Sequence, residues 1–251
     1  MTEDGPIEIG TTDQTAGAYS EYFLLNEDLM IPVPADLPDE AVALVEPLAV
    51  GLHAVERGGI QKGETALVIG CGPIGLATIA ALKMKGIEKI VASDPVKGRR
   101  ALAENMGAIR SVDPTDEDEI AAAAHEAQGE TVVVYECVGL PSLIPDLIER
   151  APEKSRIVFT GVNTQDVTIT PALAMTKELD LRFSFYYSPD EFEQAFKALA
   201  EGRIAWKPMV TGKVGFDGVA EAFDTLLGPN DHVKIMVEPW RSGTLEAVEW
   251  E

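Results

Sequence analysis

A strand-length apolar run, Thr65–Ile69, passes directly into Gly70-Cys71-Gly72-Pro73-Ile74-Gly75 and then into a helical stretch carrying Leu76, Ala77, Ile79, Ala80 and Leu82. Few arrangements constrain a chain more. Gly70 allows a tight turn, Gly72 lets a diphosphate approach the backbone, and Gly75 lets the helix pack close to the strand. Free amides and the positive dipole end of the helix, around Pro73 and Ile74, then face phosphate. Pro73 suits a first turn, whose amides have no intrahelical partners. Asp94 ends the next apolar run, Ile90-Val91-Ala92-Ser93, at the distance this motif expects. A carboxylate there accepts hydrogen bonds from ribose hydroxyls and repels a 2′-phosphate, which favours NAD over NADP. Lys97, Arg99 and Arg100 follow closely and soften that preference; Arg99 is counted among the cofactor-binding candidates. The bland reading makes the glycines turn residues and Asp94 a helix cap. S-adenosylmethionine enzymes share such a turn, but Tyr135-Glu136-Cys137-Val138-Gly139 does not carry the acid or amide with prolines usual for them.

A regular alternation surrounds this turn. Apolar runs of strand length occupy Thr65–Ile69, Lys89–Ser93, 109–112, 131–135, 156–160 and 181–186, with helical segments over 73–85, 97–106, 115–127 and 141–150. The strands are nearly unbroken in hydrophobicity, as a parallel sheet covered on both faces requires. The expected fold is α/β: a doubly wound, parallel, six-stranded Rossmann sheet. Residues 1–17 read as a loose arm, 19–34 as one or two short strands, and 38–57 as a helix broken near Pro47. Beyond the sheet come two amphipathic helices, marked by Phe192, Ala195, Phe196, Leu199 and by Val219, Ala222, Phe223, Leu226, then a last strand over 232–237. This divides the chain into 1–37, 38–187 and 188–251.

Charge narrows the partners. Forty-two acidic side chains against 20 basic ones give −22, which repels phosphate backbones and anionic membranes, so neither nucleic acid nor lipid is expected. No apolar run approaches the roughly 20 residues that span a bilayer. The acidic opening Met1-Thr2-Glu3-Asp4-Gly5 has none of the features of a secretory signal. Two cysteines, Cys71 and Cys137, are too few for a disulfide scaffold, and a cytoplasmic location is expected. They read as small buried thiols, with a redox pair or a metal site as the competing reading.

Three longer segments carry a family resemblance. Glu46-Pro47-Leu48-Ala49-Val50-Gly51-Leu52-His53-Ala54, then Lys62-Gly63-Glu64 leading into Thr65–Gly75, then Met106-Gly107-Ala108, resemble the zinc-dependent medium-chain alcohol and polyol dehydrogenases, in that family's order. The likeness covers roughly residues 18 to 238. It implies that Val138 and Gly139 after the fourth strand, and Gly161 and Val162 after the fifth, border the nicotinamide. It also implies that strand 181–186 pairs with its two-fold mate in a homodimer, which would bury an otherwise aggregation-prone apolar edge. Tyr186 and Tyr187 then read as interface packing rather than acid catalysts.

The departures matter equally. The family's front lobe, which carries a zinc-ligand cysteine and a Gly-His-Glu segment, is not in this sequence, nor is its four-cysteine zinc loop; what remains of the second, GroES-like catalytic lobe is its end and its C-terminal part. Glu46 matches the glutamate at or near the family's catalytic zinc and is the residual metal and catalytic candidate. One carboxylate cannot hold zinc, since catalytic sites use about three protein ligands, so zinc is expected of the family and expected absent here. His53, two helical turns from Glu46, is the second catalytic candidate, with a core or capping role as the alternative; His125 and His232 lie in unrelated segments. The resemblance therefore implies an NAD(P)-dependent oxidoreductase exchanging hydride with a small alcohol or ketone, on a shortened chain. The competing reading is a catalytically inactive dimeric NAD-binding module.

Overall fold

In the computed structural model the described residues are 17, 22, 25–27, 30–228, 230–248 and 250. They fall into two compact units, residues 1–36 and 37–251. In the first unit the expected arm up to residue 16, and residues 19–21, 23–24 and 28–29 of the expected strands, lie outside the described residues. Residues 30–34 carry neither helix nor strand.

The second unit is built on one sheet. Its strands are β1 (Thr65–Ile69), β2 (Lys89–Ser93), β3 (Arg110–Val112), β4 (Val132–Glu136), β5 (Arg156–Phe159) and β6 (Asp180–Phe183), all parallel, in the order β3-β2-β1-β4-β5-β6. The order reverses between β1 and β4, and at that switch point the strand ends diverge to leave a crevice. Every residue of β1 and β4 is buried, which is why these runs do not alternate in polarity. Successive side chains point to opposite faces. Ala66, Val68, Val133, Tyr135 and Val158 meet α2 (Val45–Gly58) and α3 (Pro73–Met84), whereas Leu67, Ile69, Val134, Ile157 and Phe159 meet α5 (Glu119–Ala127) and α6 (Leu143–Arg150). At about 1.5–3 kcal/mol for each large aliphatic side chain removed from water, these two layers hold the sheet.

Several boundaries differ from the sequence reading for local reasons. The break in the first helical stretch falls at Ala43–Leu44, between α1 (Asp39–Val42) and α2, not at Pro47. Pro47 is the third residue of α2, where an amide would have no intrahelical acceptor, so it costs the helix nothing. The helix expected from 115 begins at Glu119, because Asp118 caps it by accepting the Ile120 and Ala121 amides. Residue 109 is outside β3, and β6 stops at Phe183: Ser184–Tyr186 are irregular, and Tyr186 has φ +57°. The pairing edge expected over 181–186 is therefore shorter.

Helix α7 (Pro171–Thr176) precedes β6, and α8 (Pro189–Ala200) packs on α2 through Ala195, Ala198 and Leu199, with Phe192 and Phe196 against the same core. The face expected on α9 (Val219–Leu227) is only partly covered: Ala222 is buried, but Phe223 is 55% and Leu226 42% exposed. Two strands go beyond the sequence reading. β7 (Val210–Val214) lies between β8 (Lys234–Val237), which it meets in parallel, and β9 (Glu246–Ala247), which it meets antiparallel.

Candidate nucleotide-binding crevice

The turn after β1 is held from several sides. Gly70 has φ +89°, a conformation that favours glycine, and its amide donates to the Ser93 carbonyl at 2.7 Å. A Cβ on Gly75 would overlap the Gly70 carbonyl oxygen, so glycine there is what lets α3 start against the strand. Gly72 is different: nothing lies within 4 Å of where its Cβ would be. That open space faces the first turn of α3, where Pro73 has no N–H and the Ile74 and Gly75 amides have no intrahelical acceptor. A cradle of backbone donors with an unobstructed front fits a dinucleotide diphosphate.

Asp94 sits at the end of β2, 4% exposed. Its Oδ2 accepts the Cys71 amide and its Oδ1 the Val96 amide, each at 2.8 Å. It does not cap the helix that follows, whose N-cap residue is Val96 with no side-chain cap bond. The carboxylate ties the Gly-rich turn to the next loop, and each oxygen keeps a lone pair for a ribose hydroxyl. Arg99 points away from it, donating through Nη2 to the His232 carbonyl at 2.9 Å.

On the other side of the switch point, the loops after β4 and β5 touch through glycine. Gly139 has φ +84°, a Cβ on it would lie 2.6 Å from the Val162 carbonyl oxygen, and one on Gly161 would overlap the Gly139 amide nitrogen. Val138 and Val162 remain 45% and 72% exposed beside this contact. Glu136, which the sequence reading did not single out, organises the pair. Its Oε1 accepts the Val138 and Gly139 amides, both at 2.7 Å, and its carbonyl accepts those of Thr160 and Gly161 at 2.8 and 2.9 Å. Burial pushes the Glu136 carboxyl above its ordinary range, and the two amides pull it partly back. The available signal was an acid closing an otherwise apolar strand. Glu136, Thr160, Gly161 and Ser184 line a cavity of about 390 Å³ at the ends of β4, β5 and β6.

The two catalytic candidates have separate surroundings. Glu46 is the second residue of α2; burial raises its carboxyl, and the nearby Lys234 ammonium lowers it in part. Tyr187 is also raised, first by burial and then by the Glu46 charge. His53 turns instead to α8, with Nδ1 at 3.0 and 3.1 Å from the two Glu191 oxygens. Glu191 is the N3 residue of a capping box with Ser188, so His53 joins α2 to the start of α8. Among the described residues no three His, Cys, Asp or Glu side chains converge as metal ligands, and Glu46 has a lysine for a neighbour. These residues alone do not fit a zinc ion. Burial raises both thiols, that of Cys137 to about 12, and Cys137 Sγ lies 3.8 Å from Thr78 Oγ1. Neither has the lowered pKa of a reactive cysteine.

Comparison with known proteins agrees with this geometry. Residues 73–201, half of the chain, match the family described as zinc-binding dehydrogenase. The (R,R)-butanediol dehydrogenase of Neisseria gonorrhoeae is 33% identical over 227 residues, which are 89% of this chain and 64% of that protein. The crystal structure of 2R,3R-butanediol dehydrogenase from Bacillus subtilis, 34% identical, superposes with a TM-score of 0.73 over 83% of this chain and 60% of its own. A zinc-binding dehydrogenase from Sinorhizobium meliloti bound to NADP, 30% identical, gives 0.72 over 83% and 62%. The chain thus spans about three-fifths of the length of the relatives it matches. With its Gly-rich cradle, its strand order and the family match all in agreement, the chain belongs to the zinc-binding dehydrogenase family.

Proposed function

We propose that this chain binds NAD across the carboxyl ends of β1, β2, β4 and β5, as the cofactor-holding part of an oxidoreductase that exchanges hydride with a small alcohol or its ketone. The cradle at Gly70–Gly75, closed to side chains behind and open in front, carries this reading. Bound nicotinamide supplies the hydride acceptor or donor. The chain's own residues do the rest of the holding: the Ile74 and Gly75 amides meet the diphosphate, Asp94 takes the ribose hydroxyls, and Val138, Gly139, Gly161 and Val162 border the nicotinamide end. The butanediol dehydrogenases among the matches support a small hydroxylated substrate, and a net charge of −22 disfavours polyanionic partners. The described residues do not by themselves form a zinc site.

Calorimetry with NADH on the purified chain is expected to give saturable binding in the micromolar to low millimolar range, the ordinary span for a small-molecule site of this kind. Absence of heat at millimolar NADH would overturn the reading. Binding without alcohol-dependent NADH formation would instead favour the inactive module.

We further propose a homodimer through β6. Its outer edge has no partner strand among the described residues, and Phe183 and Phe185 beside it are each 66% exposed. Sedimentation should give twice the 27.0 kDa chain mass, and Phe183→Lys should give the single chain; a monomeric parent would exclude this interface. The two unpaired thiols fit a reducing cytoplasm. No helix among the described residues is long and apolar enough to cross a membrane.

A further inference from the structure

We propose that Asp113 sets the preference for NAD over NADP by holding Arg100 away from the adenosine ribose; this rests on the NAD reading above. Asp94 alone does not explain why two arginines so close to it leave a 2′-phosphate unattended. The structure gives both of them other partners. Arg99 is turned to the His232 carbonyl. Arg100, in the first turns of α4 (Lys97–Asn105), sends Nη1 to the carbonyls of Asp94 and Pro95 at 2.7 and 3.0 Å, and to Asp113 Oδ2 at 2.9 Å. That guanidinium lies against the backbone of the residue proposed to hold the ribose, which makes it the cation placed to meet a 2′-phosphate.

Of the three acceptors of Arg100, Asp113 supplies the charged one. It follows β3, and its Oδ1 accepts the Thr115 amide at 3.0 Å and the Thr115 hydroxyl at 2.7 Å, which fixes the carboxylate before Arg100 arrives. Those bonds, with Arg100, hold its carboxyl below the ordinary range. The pair is largely shielded, with the two side chains 18% and 21% exposed, and charge-assisted bonds of this type are about twice as strong as neutral ones. The Asp94 amide also donates to the Val112 carbonyl at 3.2 Å, so the two strand ends and the ion pair form one closed strap. A third carboxylate, that of Asp231, lies 2.9 Å from where a Gly98 Cβ would be, beside the start of α4. Lys97 is the cation of this stretch left exposed. One carboxylate repels the 2′-phosphate and the other occupies the group that would bind it.

The test is the ratio of NADH to NADPH affinity, read by fluorescence titration of both nucleotides on the full chain. Asp113→Asn keeps an acceptor for Thr115 and removes the countercharge. It should tighten NADPH about tenfold while NADH stays within about twofold. Adding Arg100→Leu should erase the gain. Asp113→Ser, which keeps a hydroxyl acceptor for the turn, should reproduce the shift if the asparagine variant does not fold. An unchanged ratio in a variant that still binds NADH refutes the selectivity role alone. A parent chain that binds neither nucleotide refutes the cofactor reading with it. A merely structural strap would weaken both nucleotides together.

Discussion

Replacing Gly75 with alanine should abolish detectable NADH binding, weakening it by about 100-fold or more, close to 3 kcal/mol. The added methyl would overlap the Gly70 carbonyl oxygen. That oxygen has no easy retreat, because Gly70 is held at φ +89° with its amide on Ser93. Helix α3 must therefore back away from the strand and take the Ile74 and Gly75 amides with it. Such overpacking costs about 1–3 kcal/mol of stability as well. Gly72→Ala separates the two effects. Nothing crowds a Cβ there, so the melting temperature should not move, yet the methyl stands where the diphosphate approaches and should weaken NADH about tenfold. Calorimetry paired with thermal unfolding reads both variants. If Gly75→Ala binds NADH like the parent, the diphosphate is not held at this turn.

The second large effect is expected at Gly51, in the middle of α2. A Cβ there would lie 2.6–2.8 Å from the Ala77 carbonyl group and the Thr78 amide nitrogen, all backbone atoms of α3. In an isolated helix the change to alanine would help by about 1 kcal/mol. Here the clash wins, because main chain cannot step aside as a flexible side chain can. A net loss of about 2–3 kcal/mol is expected. In urea unfolding the midpoint should fall with an unchanged slope. An unchanged midpoint would mean that α2 and α3 tolerate separation, and the close approach would not be what holds them.

The parts of this architecture legible in the sequence are those decided locally. Buried parallel strands advertise themselves as unbroken apolar runs, and the Gly70–Gly75 turn states its own geometry. What escaped depends on distant partners. β7, Val-Thr-Gly-Lys-Val, is polar at alternate positions and becomes a strand through β8 and β9. Thr115 resembles a helix start, but its amide and hydroxyl are claimed by Asp113, so α5 waits for Asp118. β6 ends at Phe183, and Tyr186 beyond it adopts a left-handed backbone that no residue pattern marks. His53 and Glu46 share a helix, so spacing suggested a common site; their partners, Glu191 from α8 and Lys234 from β8, come from segments more than a hundred residues away. Glu136 accepts amides from the loop beyond it, which composition does not reveal.

The glycine contact between the loops after β4 and β5 has a consequence for change over generations. Neither loop has room to admit a side chain at Gly139 or Gly161 unless its neighbour withdraws, and Glu136 grips both through its carboxyl and carbonyl oxygens. The two segments constrain each other sterically. Grafting one of them from a relative should lower the melting temperature where transplanting both does not, because only the matched pair keeps the glycine contact.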